Sequence, residues 1–203
     1  MLIVVEGLDG AGKSTLVEAL APALRERGRD VEVLREPGGV ELSERIRVLV
    51  KDPALTVGAR AEALLFAAAR AQMVEERVRP LLDAGRDVLL DRFTYSSMAY
   101  QGGGRELGVG AVAAINAFAT RTLYADMTLY LRIDPQLRRE RLAGRGESAD
   151  RLEQMDEGFF GRVAAAYESL VAYDQPVHAR FIDAGQPPAD VLADALRALG
   201  YEA

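Results

Sequence analysis

The chain has 203 residues, 49% of them hydrophobic, which is enough for one domain, 1–203, with a sizeable core. Its formal net charge of −6 argues against a nucleic-acid-binding surface, because binding a polyanion requires a basic face. No apolar run could span a membrane, the first predicted strand leaves no room for a signal peptide, and cysteine is absent, so we expect a cytoplasmic protein with no membrane partner.

A glycine-rich segment follows the first predicted strand. Residues 7–14 have the pattern G-x-x-x-x-G-K-S and lie between an apolar run and a helical pattern that extends from Thr15 to Arg27. Glycines allow successive backbone N–H groups to point into one concavity and hold phosphate oxygens. Lys13 adds a cation, and the Ser14 hydroxyl suits Mg²⁺. Strand, loop and helix follow in the order that phosphate binding requires, which a chance glycine turn would not explain, so we predict a P-loop with nucleotide contacts at Gly7, Leu8, Asp9, Gly10, Ala11, Gly12, Lys13, Ser14 and Thr15.

Alternating strand and helix patterns fill the rest of the chain. Strands are predicted at 31–34, 87–92, 127–133 and 177–182, and helices at 41–50, 59–84, 110–122, 152–174 and 189–199, with one more starting at Pro135. A strand, a helix and a strand in succession imply a right-handed parallel crossover, so the sequence predicts an α/β fold with a parallel sheet. In such sheets, ligands bind at the carboxyl ends of the strands.

Polar side chains follow two of the predicted strands. The strand that ends at Asp91 is apolar and delivers one carboxylate beside the P-loop, a pattern typical of a residue that holds Mg²⁺ through water. The alternative is a carboxylate that only caps a turn. Arg35 and Glu36 follow another strand, just before a Pro-Gly-Gly turn, and should reach the face where the P-loop opens.

Two segments indicate ligand binding less directly. Residues 93–104 are polar and rich in glycine, which predicts a flexible segment that lines a ligand rather than a core element. Between Arg138 and Arg151, arginines are interleaved with glycines. That pattern fits either a solvated basic face or a movable lid over a polyphosphate.

The helix predicted at 59–84 contains a wide apolar block at 64–69. A block of this width indicates that the helix is covered on both sides, by the core and by either a ligand or a second subunit. Phe66 and Arg70 are four residues apart and share one face. From the residues alone we interpret them as a core phenylalanine beside a solvated arginine.

Absent motifs narrow the reaction class. The guanine motif N-K-x-D cannot occur, because the only asparagine is Asn116, and the transporter signature L-S-G-G-Q is missing. A chain of this length has no room for the accessory domains of a motor, so a small-molecule kinase remains. Arginines such as Arg47 and Arg92 suit an acceptor phosphate, which is already a nucleophile at pH 7 and needs cationic positioning rather than a base. The alternatives are a deoxynucleoside kinase and a non-enzymatic ATP-dependent switch.

Taken together, these motifs resemble those of bacterial thymidylate kinases. The resemblance rests on 6–15 (EGLDGAGKST), 35–39 (REPGG), 65–70 (LFAAAR), 91–93 (DRF), 99–105 (AYQGGGR) and 150–153 (DRLE). It implies a homodimer that phosphorylates dTMP to dTDP with ATP and Mg²⁺, in dTTP biosynthesis. It further implies a three-layer P-loop NTPase fold with a five-stranded parallel sheet flanked by helices, a monophosphate-binding region at about 35–105 and a small mobile lid at about 141–152.

The resemblance also assigns roles on the acceptor side. Phe66 would stack on thymine and Arg70 would donate to its exocyclic oxygen, which replaces the interpretation from the residues alone. Contacts with dTMP are implied at Asp9, Glu36, Pro37, Arg47, Phe66, Arg70, Arg92, Ser97, Tyr100 and Gln101, with a cis peptide bond before Pro37.

On the donor side, the resemblance implies metal contacts at Ser14 and Asp91 and adenine contacts at Arg141 and Gln186. Catalytic roles are implied for Lys13, Asp9, Arg92, Arg145 and Arg151. Because the P-loop carries the acidic Asp9 where part of the family has an arginine, the chain resembles the variant whose catalytic arginines come from the lid. The resemblance leaves open which of the two lid arginines touches the transferred phosphoryl group.

Overall fold

The computed structural model describes residues 1–144, 146, 150–175 and 177–201. The strands are β1 (Leu2–Gly7), β2 (Val31–Arg35), β3 (Asp87–Asp91), β4 (Met127–Arg132) and β5 (Ala179–Asp183). The α-helices are α1 (Lys13–Glu26), α2 (Glu41–Lys51), α3 (Ala59–Met73), α4 (Arg79–Asp83), α5 (Thr94–Ser97), α6 (Val109–Thr120), α7 (Pro135–Ala143), α8 (Glu157–Asp174) and α9 (Pro188–Ala198). Two π-helical segments, Val74–Val78 and Met98–Gly104, continue α3 and α5. In the described part of the chain, no helix is long and apolar enough to cross a bilayer.

The five strands form one parallel sheet in the order β2-β3-β1-β4-β5. β1 is central, and its Val5 lies beside Asp91 of β3 and Leu129 of β4. Arg35 of β2 lies on the other side of Asp91. Since the strand order changes direction at β1, the carboxyl ends of β1 and β3 form the crevice where open α/β sheets bind ligands. The predicted sheet, parallel and flanked by helices, is confirmed.

Helices cover both faces of this sheet. On one face, Ile3 and Val5 pack with Leu20 of α1 and Ala195 of α9. On the other face, Val4 packs with side chains of α3 and of the π-helical segment after it, while α8 covers the part near β4 and β5. Burial of both faces explains why the strands read as nearly continuous apolar runs rather than as alternating patterns.

Some helix boundaries differ from the prediction. α1 begins at Lys13 because Gly12, with φ of 93°, turns the loop directly into the helix. α8 begins at Glu157 rather than at 152, since Asp156 caps it by accepting the N–H of Phe159 at 2.7 Å. The strand predicted at 177–182 is displaced to Ala179–Asp183.

The prediction that 93–104 is not a core element is wrong. The segment is helical from Thr94 to Gly104, and Ala99 and Tyr100 are buried. Its glycines allow close packing on α8, because a Cβ added at Gly104 would lie 2.6 Å from the Phe159 ring.

The predicted basic segment from Arg138 to Arg151 divides into two parts. Arg138 belongs to α7, is 3% exposed, stacks 3.8 Å above the Phe160 ring and donates to the carbonyl of Asp9. Its assignment to a lid or a solvated face is therefore wrong, because it supports the P-loop from inside the protein. Of the predicted lid at 141–152, Arg145 and residues 147–149 lie outside the described residues.

Candidate active site

A cavity of about 610 Å³ opens at the carboxyl edge of the sheet. The P-loop forms one wall, and the segment after β2, α3 and the helix after β3 form the opposite wall. Most of the predicted contact residues line it: Asp9, Gly10, Gly12, Lys13, Ser14, Thr15, Glu36, Pro37, Arg47, Phe66, Arg70, Asp91, Arg92, Ser97, Tyr100, Gln101 and Arg141. Donor-side and acceptor-side candidates therefore face one continuous space.

The P-loop holds its lysine under the loop backbone. Lys13 Nζ donates to the carbonyl of Leu8 at 2.9 Å and lies 3.8 Å from Asp9 Oδ1. Burial, with a smaller contribution from the nearby charge of Arg92, lowers the pKa of Lys13 to about 8. The side chains of Leu8 and Ala11 are buried beneath the loop and do not line the cavity, so these two residues can meet a phosphate only through their backbone.

Asp9 and Arg92 form an ion pair across the floor of the cavity. Arg92 Nη2 donates to Asp9 Oδ1 at 2.6 Å, and the Tyr100 hydroxyl donates to Asp9 Oδ2 at 3.1 Å. Burial raises the pKa of Asp9, but the charges of Arg92 and Lys13 outweigh it and hold that pKa below its ordinary value. Asp9 is thus ionised and is a weak base at neutral pH.

A buried glutamate that sequence reasoning missed holds this part of the site in place. Glu6 of β1 accepts the N–H of Phe93 at 2.8 Å, the N–H and hydroxyl of Ser96, and the hydroxyl of Tyr167. Burial raises the pKa of Glu6. Its carboxyl anchors the start of α5 and hence Arg92, which precedes that helix with a φ of 70°. The available signal was an acidic residue within an otherwise apolar strand.

Arg70 lies at the other end of the cavity and is buried, with only 2% of its surface exposed. Its Nε and Nη2 contact Glu36 Oε2 at 2.7 and 2.5 Å, and Nη2 also donates to the carbonyl of Phe93. Nη1 donates to Ser97 and Asn116 at 2.9 and 2.5 Å. The interpretation of Arg70 as a solvated arginine is wrong. Four of its N–H groups donate hydrogen bonds to protein groups, and Nη2 also lies in the ion pair with Glu36.

Glu36 is buried beside Arg70 and follows β2 at the cavity wall, next to the cis peptide bond before Pro37. Its Oε2 is bound by Arg70, whereas its Oε1 has no hydrogen-bond partner among the described residues. Burial raises the pKa of Glu36 from 4.5 to about 7, against the opposing charge of Arg70. This carboxyl therefore titrates near neutral pH.

The raised pKa of Glu36 predicts a pH-dependent stability. Because the folded protein binds this proton more tightly than the unfolded chain, the stabilisation is complete below pH 4.5 and is lost as the pH rises to about 7. Between pH 5 and pH 8, wild type should lose about 3 kcal/mol of unfolding free energy relative to Glu36→Gln. Urea denaturation of both proteins across that range measures the difference. Parallel pH curves would contradict the prediction.

Two side chains at the P-loop end have the chemistry of a magnesium site. Asp91 and Ser14 line the cavity, and the buried Oδ1 of Asp91 has no hydrogen-bond partner among the described residues. An unpaired buried carboxylate oxygen fits an ion or its water ligand. The described residues contain no cluster of three or more metal-ligating side chains. An ion held here would thus share one carboxylate and one hydroxyl with the phosphates of its nucleotide, as Mg²⁺ commonly does.

Of the residues predicted to contact adenine or to form the lid, only some line the cavity. Arg141 lines it and donates to the carbonyl of Ala184 at 2.9 Å. Gln186 is bound instead to Asp194 at 3.0 Å and does not line the cavity. Arg151 also points away, since it donates to the carbonyl of Val50 at 2.9 Å and pairs with the carboxylate of Glu62 at 2.8 Å. Arg145 lies outside the described residues.

A P-loop after the central strand, an aspartate at the end of its neighbour and a polar cavity that extends beyond both define a P-loop nucleotide-binding protein with room for a second ligand. Comparisons with known proteins identify the family. A family model described as thymidylate kinase matches residues 5–195. The thymidylate kinase of Ectopseudomonas mendocina is 46% identical over 195 residues, which cover 96% of this chain and 92% of that protein.

Further relatives agree. The thymidylate kinase of Deinococcus radiodurans is 41% identical over 194 residues, which cover 96% of this chain and 93% of that one. The crystal structure of thymidylate kinase from Ehrlichia chaffeensis has a TM-score of 0.80 with this protein at 26% identity, covering 99% of this chain and 98% of that chain. The chain belongs to the thymidylate kinase family.

Proposed function

We propose that this cavity transfers the γ-phosphoryl group of ATP to dTMP and releases dTDP and ADP, a step of dTTP biosynthesis. The observation that carries the proposal is the continuity of the cavity. It joins a P-loop with Lys13 to an aromatic and polar pocket with Phe66, and Arg92 lines the same space. Family membership favours the same reaction over a deoxynucleoside kinase or a nucleotide-dependent switch.

Positive charge surrounds the place where two phosphates would meet. Lys13 serves the donor phosphates, and Arg92 and Arg47 serve the phosphate of dTMP. Arg47 is held at the cavity wall, where it donates to the carbonyl of Pro37 at 3.0 Å. These cations neutralise and align the reacting groups, which is most of what phosphoryl transfer requires.

Asp9 favours a phosphate acceptor over an alcohol acceptor. An alcohol requires a base to take its proton. Asp9 is a poor base, because the charges of Arg92 and Lys13 lower its pKa by more than burial raises it. An ionised carboxylate that is already paired is suited to orienting a hydroxyl group of the sugar. Tyr100, which donates to Asp9 at 3.1 Å, would lie beside the same sugar position and crowd a 2′-hydroxyl.

Mg²⁺ would be held by Ser14 and Asp91 together with phosphate oxygens of ATP. When bound, it supplies charge neutralisation on the donor phosphates.

The adenine would lie by Arg141, near the loop after β5 that contains Gln186. Arg145 and Arg151 stay candidates for contact with the transferring phosphoryl group, and Arg151 would first have to leave Glu62 and Val50. On this proposal, residues 141–152 act as a lid on one domain, 1–203.

The test of the function is a coupled assay of ADP release with ATP and Mg²⁺, run with dTMP, thymidine and the other common nucleoside monophosphates. We expect release that depends on dTMP and that is much slower with thymidine. Faster release with thymidine would favour the deoxynucleoside kinase. ADP release at a rate that does not depend on any acceptor would favour the nucleotide-dependent switch.

Phe66→Ala tests the thymine pocket. Phe66 is part of α3, packs near Ile46 of α2 and presents part of its ring to the cavity. Removing the ring should raise the KM for dTMP by the loss of stacking, about 1–3 kcal/mol or roughly 5- to 150-fold, and leave the KM for ATP nearly unchanged. Steady-state kinetics with each substrate varied in turn measures both values. Equal changes in the two KM values would contradict the prediction.

We also propose a homodimer formed through α2, α3 and α6. Apolar side chains on these helices are exposed in the single chain, with Phe118 89%, Val48 69% and Leu64 57% exposed. Exposed apolar surface on neighbouring helices is typical of a subunit interface. Light scattering at micromolar concentration should give about twice the mass of 22.0 kDa, and a monomer would contradict the proposal. A cytoplasmic location stays a prediction.

A further inference from the structure

A third buried glutamate lies near the base end of the cavity. Glu62 stands in the first turn of α3, four residues before Phe66 and eight before Arg70, and it has no exposed surface. It does not line the cavity. Its Oε1 accepts hydrogen bonds from Gln101 and Arg105 and its Oε2 accepts one from Arg105, while Arg151 Nη2 forms an ion pair with Oε2 at 2.8 Å.

The contact with Gln101 determines which way that amide faces. Gln101 Nε2 lies 2.9 Å from Glu62 Oε1. A carboxylate paired with two arginines can only accept hydrogen bonds, so the opposite amide orientation would set a carbonyl oxygen against it. The donor end of Gln101 is thereby committed to Glu62. The carbonyl oxygen of the amide is the group left for other partners.

That carbonyl is available at the cavity. Gln101 is 2% exposed, lines the cavity together with Phe66 and Arg70, and its Oε1 has no hydrogen-bond partner among the described residues. An unpaired carbonyl acceptor on a side chain that lines the cavity favours a ligand with an N–H group at the matching position. The guanidinium of nearby Arg70 already donates four hydrogen bonds to protein groups and pairs with Glu36, so the unpaired carbonyl of Gln101 is the more available reader of a base edge.

Thymine and cytosine differ at the edge that such an acceptor would meet. Thymine carries a proton on N3 between two carbonyl oxygens, whereas cytosine has an unprotonated N3 next to an amino group. We propose that Glu62 is a positioning residue for base selectivity: it holds the Gln101 amide so that the carbonyl, and not the amino group, faces the base. The carbonyl accepts from N3–H of thymine and repels N3 of cytosine. The inference rests on dTMP being the acceptor, as proposed above.

Glu62→Gln tests this assignment, because the new amide is nearly isosteric and can face Gln101 with either its donor or its acceptor end. Gln101 is then free to turn its amino group to the base. We expect the ratio of kcat/KM for dTMP to that for dCMP to fall at least tenfold, mainly through a higher KM for dTMP. A role limited to stability would lower both activities by the same factor and leave the ratio unchanged.

Two further variants separate positioning from structure. Arg105→Met breaks the same ion cluster without touching the Gln101 contact, so it should reduce thermal stability and leave the dTMP-to-dCMP ratio within about twofold of wild type. In a Gln101→Met background, Glu62→Gln should no longer alter the ratio, because the residue through which it acts is missing. If Glu62→Gln alone does not fold, the double variant Glu62→Gln with Arg105→Met is used instead, because it removes one charge of each sign from the cluster.

The outcomes distinguish this inference from the proposed function. A wild-type protein that phosphorylates dTMP, together with an unchanged ratio in Glu62→Gln, would overturn the role of Glu62 alone. A change in the ratio that persists in the Gln101→Met background would overturn the mechanism through Gln101. A wild-type protein without dTMP-dependent ADP release would overturn the proposed function and this inference with it.

Discussion

Lys13→Met is expected to lower kcat by two or more orders of magnitude and to leave the fold intact. The substitution removes the one P-loop cation that neutralises the negative charge developing on the oxygen between the donor phosphates. A preorganised group of this kind stabilises the transition state by about 3 kcal/mol. The structural cost is one hydrogen bond to the carbonyl of Leu8, about 1 kcal/mol. Initial rates at saturating ATP and dTMP measure the effect, with circular dichroism as the check on folding.

Lys51→Met is the matched control for this experiment, since Lys51 is the only other lysine of the chain. Its ammonium lines the same cavity but pairs with Asp150 at 2.7 Å at a partly exposed position, and no hydrogen bond among the described residues ties it to the P-loop backbone. We expect its kcat to change by less than about tenfold, as is usual for partly exposed ion pairs. Turnover in Lys13→Met that stays close to wild type would refute the role given to the P-loop.

Arg70→Ala is expected to reduce the free energy of unfolding by about 3–5 kcal/mol. The truncation leaves the carboxyl of Glu36 buried without its ion-pair partner, and it removes the donors that Ser97, Asn116 and the carbonyl of Phe93 accept from. Urea denaturation at pH 8, where Glu36 is ionised, measures the loss. The loss arises because the buried carboxyl must then either stay charged without a partner or take up a proton from a solution at pH 8.

Arg45→Ala provides the comparison for Arg70. Arg45 pairs with Glu41 at 2.5 Å on an exposed face of α2, so its removal should leave the unfolding free energy almost unchanged. Arg70 was assigned to thymine by family resemblance alone. If Arg70→Ala has the same free energy of unfolding as Arg45→Ala, the hydrogen bonds and ion pair of Arg70 do not stabilise the fold. Arg70 is then free to bind the base.

Local sequence was sufficient where one short segment carries a complete physical requirement. The P-loop needs only its glycines, one lysine and one hydroxyl residue in a fixed order between a strand and a helix, and Asp91 needs only an apolar run before it. The parallel sheet followed from the alternation of strand and helix patterns, because such crossovers have one favoured hand, and its five strands were implied by the family resemblance. The family resemblance named the cavity residues, most of which line one space.

Local sequence was insufficient where a side chain's partner comes from elsewhere in the chain. Gly104 looked flexible because glycine is a common loop residue, but only the packed position of α8 makes its missing Cβ a requirement. Arg138 looked like part of a basic surface until Phe160 and the carbonyl of Asp9 were found against it. No periodicity encodes contacts between residues so far apart in sequence.

The sequence by itself thus determined the parallel sheet, the phosphate-binding loop and the family, because each depends on residue types at short, fixed spacings. Only the tertiary structure decided which charges are buried and what faces them. Glu6, Glu36 and Glu62 are similar acidic residues in the sequence, yet one anchors α5, one pairs with Arg70 beside the cavity, and one binds Gln101 and two arginines. The free energy of a buried charge depends on the distance and direction of its partners, and those are set when the helices pack against the sheet.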